Sequence, residues 1–205
     1  MYRNVIKRLI DLLLSGTALL ILAVPMLILA LIVKLDSKGP VLFWQKRVGL
    51  GKEIFWMPKF RSMYTQTPAE VPTHMLTNPD RWITPVGRVY RKLSIDELPQ
   101  LWSIFTGKMS FIGPRPALWN QEDLIAERDR YGANDVRPGL TGWAQINGRD
   151  ELEIPVKAKL DGEYVERLSF LFDCKCFLGT VLAVLKRDGV VEGGTGAMDQ
   201  HQHQR

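Results

Sequence analysis

Apolar residues dominate one long run near the start of the chain and then fall into short periodic segments. From Leu12 to Val33 the sequence LLLSGTALLILAVPMLILALIV carries no charge over 22 residues. A helix of that length extends about 33 Å against a hydrocarbon core of about 30 Å, so the run is predicted to sit in a membrane. It is too long for a secretory signal, and no A-x-A-like site separates it from the charged KLDSKGP. Arg3, Lys7 and Arg8 precede it, and Lys34 and Lys38 follow. The positive-inside rule therefore draws both ends to the cytoplasmic side, which a hairpin or re-entrant helix would satisfy. Pro25 removes one backbone hydrogen bond and crowds the carbonyl of Ile21, so a break or kink is predicted there. Composition alone favours an ordinary spanning helix with a tolerated proline.

Beyond residue 36 the pattern changes. VLFWQKRVGL (41–50) and EIFWMPKFRSM (53–63) alternate, and Gly51 and Lys52 between them predict a β-hairpin. Residues 64–85 are rich in Thr, Pro, Asn and Asp and read as a long loop. Leu98, Leu101, Trp102 and Phe105 then fall at i, i+3, i+4 and i+7, a one-faced helix that suits either a core stripe or a membrane interface. Residues 119–131 predict an exposed charged helix. The segment from Tyr164 to Leu185 predicts one long amphipathic helix with a basic last turn at Lys186 and Arg187. The tail from residue 191, with His201 and His203, is expected to be disordered. The fold class is therefore α+β, predominantly helical: a membrane helix over 1–36, a cytosolic, membrane-associated globule over 37–190 and a tail over 191–205.

Charge and cysteine content narrow the function classes. The net charge of +5 is concentrated at Lys34, Lys38, Lys46, Arg47, Lys52, Lys59 and Arg61, so an anionic partner is expected near that segment. The basic cluster adjoins the lipid segment, which favours headgroups or phosphorylated substrates over nucleic acid. Cys174 and Cys176 are badly spaced for a disulfide and have no companions for zinc, so they read as reduced core residues.

The candidate chemistry centres on LSIDELPQLWSIFTG (93–107), where Asp96 and Glu97 precede an apolar run. Ser94 with Glu97 fits a capping box, although Pro99 would then sit where its N–H is needed. With Asp96 as the cap, Pro99 falls in the first turn. Capping and catalysis are both compatible with the pair. KFRSM (59–63), FIGPRP (111–116) and RPGLTGWAQINGR (137–149) each couple a turn to a basic residue. Proline presets a backbone, glycine permits close approach, and arginine offers a fork for phosphate oxygens. With an acidic pair able to hold a divalent cation, these parts suit the handling of a diphosphate at a membrane. No P-loop, dinucleotide fingerprint, nucleophile elbow or H-x-x-x-H occurs, and the D-x-E of Asp161 and Glu163 is a weak metal motif.

Taken in order, several motifs carry a resemblance: KR-x-x-D (Lys7, Arg8, Asp11), the proline-containing apolar helix, F-x-Q-x-R-x-G (Phe43, Gln45, Arg47, Gly49), KFRSM, SIDELPQL, MSFIGPRP, RPGLTGWAQINGR, and Tyr164, Ser169, Phe170 and Asp173. Across nearly its whole length the chain resembles the small monotopic phosphoglycosyl transferases, bacterial sugar transferases that start glycan assembly on a polyprenol carrier.

The resemblance implies transfer of a sugar 1-phosphate from a UDP-sugar to undecaprenyl phosphate, with release of UMP and the help of Mg²⁺. It implies Asp96 as the nucleophile of a covalent phosphosugar intermediate, Glu97 as metal ligand and Arg115 as a phosphate grip. Arg137, Gln145, Asn147 and Arg149 would line the nucleotide-sugar or phosphate region, and Lys59 and Arg61 would extend the basic pocket. It also implies a re-entrant helix, reversing the choice made from composition, and a monotopic protein on the cytoplasmic face of a bacterial inner membrane, among phospholipid. Val24 stands where members commonly carry Ser before the breaking proline, and Lys108 where many carry an acid. GPRPALWNQEDLI and ITPVGRVYRK look most like members that begin capsule or O-antigen units with an N-acetylated, often 6-deoxy, hexosamine. Downstream glycosyltransferases and a second copy of the chain are candidate partners. The alternatives are a non-catalytic scaffold that recruits glycan-assembly partners and a glycosyltransferase that releases UDP. With an Asp96 and Glu97 pair at a helix start, the dipole would keep Asp96 ionised for attack.

Overall fold

The computed structural model describes residues 2–68, 78–148 and 152–186. The predicted disordered tail and Arg149 lie outside them. A π-helical turn at Tyr2–Ile6 leads into α1, Lys7–Asp36, a single 30-residue helix with Pro25 inside it. The helix is assigned without interruption through Pro25; a proline removes one ladder hydrogen bond, which the turns on either side can bridge.

One stripe of α1 packs on the globule along its length. Ala18, Leu19 and Leu22 lie against Phe55, Met57, Leu101, Ile104 and Met109. A turn and more further on, Met26, Leu29, Ala30 and Val33 lie against Phe60 and Tyr90. These positions recur every three or four residues, as one face of a helix must. The opposite face exposes Leu20, Ile21, Val24, Leu27 and Leu31.

Both ends of α1 are tied to the same globule. At its start Lys7 Nζ meets Asp173 at 2.6 Å, and Arg8 donates to the carbonyls of Ile104 and Phe105, both at 2.6 Å. At its end Arg61 donates to the carbonyls of Val33, Ser37 and Pro40 and to Ser37 Oγ. These carbonyls belong to the last helical turn and the chain leaving it, where acceptors otherwise lack partners.

The predicted hairpin forms. β1 (Leu42–Val48) pairs antiparallel with β2 (Ile54–Phe60) across a 3₁₀ turn at Leu50–Lys52, with Lys59 opposite Phe43 and Met57 opposite Gln45. Alternation places Phe55, Met57 and Lys59 on one face, and Phe55 and Met57 pack there on α3, Gln100–Phe105. α2, Pro85–Lys92, occupies the end of the predicted loop and the residues after it; Thr84 Oγ1 accepts from Gly87 N at 2.9 Å and Pro85 takes the first helical position. The charged helix is α4, Glu122–Asp129. A second sheet pairs β3 (Ser110–Ile112) with β4 (Gly139–Thr141) in parallel. A four-residue helix, α5, follows at Trp143–Ile146.

The long C-terminal helix predicted from Tyr164 is two helices. α6 spans Ile154–Glu166 and α7 spans Phe170–Lys186. Ser169 breaks the run, its Oγ and carbonyl accepting from the N–H groups of Phe172 and Asp173. Tyr164 faces inward at that break and donates to Asp173 Oδ1 at 2.8 Å. Cys174 and Cys176 are free thiols; Cys176 is fully buried, and burial pushes it up to about 12, so it is an inert core residue.

Candidate active site

Three separate segments converge on Glu97. The 3₁₀ turn Ile95–Glu97 presents it, β2 brings Lys59, and the GPRP turn after β3 brings Arg115. Lys59 Nζ lies 3.2 Å from Glu97 Oε1. Arg115 donates through Nη1 to Oε2 at 3.4 Å and through Nη2 to Oε1. The result is a carboxylate gripped by two cations, all three partly or largely withdrawn from water.

Asp96, next to Glu97, is buried. Burial pushes its carboxyl above the usual carboxylate range, while Lys59, Arg91 and Arg115 pull it back and Glu97 pushes it further up. Burial thus works against the ionisation expected of Asp96 at a helix start, and desolvation outweighs the surrounding positive charge. Lys59 is held below its ordinary value by burial, against the opposing pull of Glu97.

The capping box does not form. Ser94 makes no capping bond and adopts φ 54°, a left-handed conformation uncommon for a residue with a Cβ. That conformation turns the chain out of α2 and sets Asp96 and Glu97 in the next turn. The cost, of order 1 kcal/mol, is borne beside the acidic pair. Pro99 takes the N-cap of α3, where no N–H is required of it.

Gln45 and Arg47 brace the same region from β1. Arg47 donates to Gln45 Oε1 at 2.6 Å and to the Pro116 carbonyl at 2.9 Å, fixing the end of the GPRP turn. Its charge is also felt by Lys59. Arg91, in the last turn of α2, acts on Asp96 through its charge. None of these three is assigned a role by sequence reasoning, although Gln45 and Arg47 stand in a quoted motif; Arg91 is overlooked because α2 itself is.

The remaining candidates lie elsewhere. Arg61 is engaged at the end of α1. Arg137 donates to the Gly107 carbonyl at 3.0 Å and lines a cavity with the first turns of the chain. Gln145 and Asn147 belong to α5 and the residue after it. The Gln145 amide is buried without a hydrogen bond among the described residues, and Asn147 donates to the Trp143 carbonyl. Asp161 and Glu163 do not form a metal pair: Asp161 is buried on Arg128 at 2.6 Å, while Glu163 accepts from the Trp143 indole at 3.0 Å.

A magnesium ion typically takes one or two carboxylates and completes its shell with water and substrate phosphate. Of the acidic pair, Glu97 would supply such a carboxylate in exchange for its contacts with Lys59 and Arg115, and among the described residues no group of three or more His, Cys, Asp or Glu side chains suits a metal ion held by protein alone.

Residues 2–187 match the bacterial sugar transferase family. The chain belongs to that family. This bacterial sugar transferase is 39% identical over 186 residues to the uncharacterized sugar transferase EpsL of Bacillus subtilis (strain 168), covering 91% of this chain and 90% of that one. It is 42% identical over 185 residues to an undecaprenyl-phosphate glucose phosphotransferase of Komagataeibacter xylinus, covering 85% and 35%. It is 37% identical over 188 residues to a UDP-N-acetylgalactosamine-undecaprenyl-phosphate N-acetylgalactosaminephosphotransferase of Aeromonas hydrophila, covering 88% and 44%. The chain thus spans nearly all of the first relative and less than half of the other two.

Proposed function

We propose that this sugar transferase moves a sugar 1-phosphate from a UDP-sugar to undecaprenyl phosphate, with release of UMP, through a covalent intermediate on Asp96. The observation that carries the reading is the buried Asp96 carboxylate set among Lys59, Arg91 and Arg115 beside Glu97. A carboxylate attacks the phosphorus of an anionic diphosphate slowly unless cations offset the charge on the phosphoryl oxygens.

In the first step an Asp96 oxygen forms a bond to the β-phosphorus. The bond from that phosphorus to the oxygen bridging the two phosphates breaks, and UMP leaves with the electron pair. In the second step an undecaprenyl phosphate oxygen attacks the same phosphorus, the Asp96 carboxylate is released, and undecaprenyl diphosphate sugar results. Lys59 and Arg115 hold Glu97 and the phosphates in register, and Arg47 keeps the GPRP turn in place. Mg²⁺ bound at Glu97 would neutralise diphosphate charge.

The relatives named for a substrate act on glucose or N-acetylgalactosamine. For this chain the proposed sugar is an N-acetylated hexosamine, including 6-deoxy forms, on the likeness of GPRPALWNQEDLI and ITPVGRVYRK. A panel of UDP-sugars with undecaprenyl phosphate and Mg²⁺, read as UMP, tests reaction and donor together. UDP as the product would replace this reading with a glycosyltransferase, and no nucleotide release from any donor would favour a scaffold.

The proposed topology is re-entrant and monotopic at the inner membrane. It is supported by the globule's grip on both Lys7 and Val33, since one polar domain can hold both ends of a helix only from one side of the bilayer. Labelling before Arg3 and after Lys34 should report both ends on the cytoplasmic side; periplasmic access at one end would favour a spanning helix.

A further inference from the structure

A cavity of about 330 Å³ lies where the first turns of the chain meet the segment entering β4, and none of its lining residues belongs to the Lys59, Glu97 and Arg115 cluster. Its charged lining is Arg3, Lys7, Arg8 and Arg137 with Asp11 and Asp135. Lys7 is neutralised by Asp173. The three arginines instead meet uncharged carbonyls: Arg3 that of Asp135, Arg8 those of Ile104 and Phe105, and Arg137 that of Gly107. Those bonds fix the guanidinium groups in place without themselves neutralising them.

Asp11 lies within electrostatic reach of Lys7 and Arg8 and offsets part of that charge. Asp11 accepts from Phe111 N at 3.0 Å, and the Asp135 carboxylate lies beside Gly132. Arg3 and Arg137 each direct one nitrogen at the protein among the described residues, leaving the rest of each fork for another ligand. Ser110, fully buried in the same lining, turns its hydroxyl toward Asp11 and adds a polar group to the wall. Such a site is built for an anion with several oxygens, and its volume equals that of roughly ten waters.

The surroundings select a lipid over a soluble anion. Val5, Ile6, Leu9 and Leu13 are exposed on the turns that form the rim, and Phe170 and Leu171 are exposed where Tyr2 stacks edge-on against Phe170. A ligand with its phosphate in the cavity could lay acyl chains along that apolar surface. We propose that this cavity binds the phosphate of an anionic phospholipid headgroup through Arg3 and Arg137, at a site separate from the acidic pair.

The test uses the full chain in nanodiscs of phosphatidylcholine with a minor fraction of phosphatidylglycerol, released into detergent and examined by native mass spectrometry. Wild type should retain one phosphatidylglycerol and no phosphatidylcholine. Arg3→Gln with Arg137→Gln should reduce retention roughly tenfold or more, the effect of losing charge-assisted bonds to phosphate. Arg3→Gln alone, which removes only a bond to a backbone carbonyl, should give a smaller loss and covers the case in which the double variant fails to fold. Equal retention by wild type and variants overturns the proposal, as does equal retention of phosphatidylcholine. Displacement by millimolar glycerol 3-phosphate would assign the cavity to a free anion, and preferential retention of added undecaprenyl phosphate would assign it to the acceptor; either outcome also overturns it. The readout does not depend on transfer activity, so it stands apart from the proposed reaction.

Discussion

Arg115 holds both carboxylate oxygens of Glu97, so the turn after β3 and the turn before α3 are locked to each other through one charge pair. Lys59 shares one of those oxygens. Glu97→Gln removes the carboxylate that Lys59 and Arg115 both contact and leaves Asp96 as the negative charge beside them. Folding stability should fall by roughly 2–3 kcal/mol, below the full cost of breaking a buried pair because Arg115 is partly exposed. Arg115→Lys, which keeps the charge and loses the fork, should cost less. Chemical denaturation of the three proteins in one detergent measures this, and an unchanged midpoint for Glu97→Gln would remove the pair from the stability argument.

Asp96→Asn should separate activity from stability. On the proposed mechanism UMP release falls by at least about 10³-fold, since the covalent step then lacks its attacking carboxylate. The carboxyl is pushed up chiefly by burial, so the folded state holds its proton more tightly than the unfolded state does. That contribution to stability is fully present at acid pH and is lost as pH rises through the folded value. The Asn variant, which cannot ionise, should therefore melt higher than wild type near neutral pH, and the gap should close on acidification. Full turnover in the variant would overturn the nucleophile assignment; a lower melting point at neutral pH would overturn the electrostatic account.

Arg91 offers a pH signature free of the nucleophile itself. Its charge favours ionised Asp96, the form that attacks on the proposed mechanism. In Arg91→Gln the Asp96 value rises, so the acid limb of UMP release should move toward alkaline pH. Profiles at saturating UDP-sugar compare the two proteins. A limb that stays in place while turnover falls would make Arg91 a substrate contact instead.

Much of this arrangement is legible in the sequence, for reasons visible in particular residues. The alternation in residues 41–63 specifies the hairpin, and the uncharged run at 12–33 specifies α1. α2 escaped because eight residues give little periodicity, although Thr84 followed by Pro85 is a start signal. β3 and β4 escaped because each is three residues long and borders a Pro/Gly motif. The glycines of those motifs serve packing: a Cβ on Gly139 would lie 2.1 Å from Gly113 N, and one on Gly142 would lie 2.1 Å from Gly113 O. Sequence motifs point to the acidic pair, Lys59 and Arg115 individually, but their meeting depends on segments 18 and 38 residues apart.

Arg61 marks where a spacing argument fails. It lies two residues beyond Lys59, the interval that would put both on one face of a strand. β2 ends at Phe60, however, and Arg61 turns to the end of α1. Nearly all of its surface is buried, and its donors serve carbonyls that the helix leaves unsatisfied. Arg61→Met should therefore destabilise the fold by about 2–4 kcal/mol, through lost charged hydrogen bonds and orphaned acceptors. For a chain of this size that is a fall in melting temperature of roughly 5–15 °C. KM for the UDP-sugar, measured where both proteins are folded, should stay within about twofold, since binding that does not use Arg61 has no reason to weaken. A tenfold rise in KM with an unchanged melting temperature would return Arg61 to the substrate pocket and leave the end of α1 to Asp36, Tyr90 and the apolar contacts of Val33.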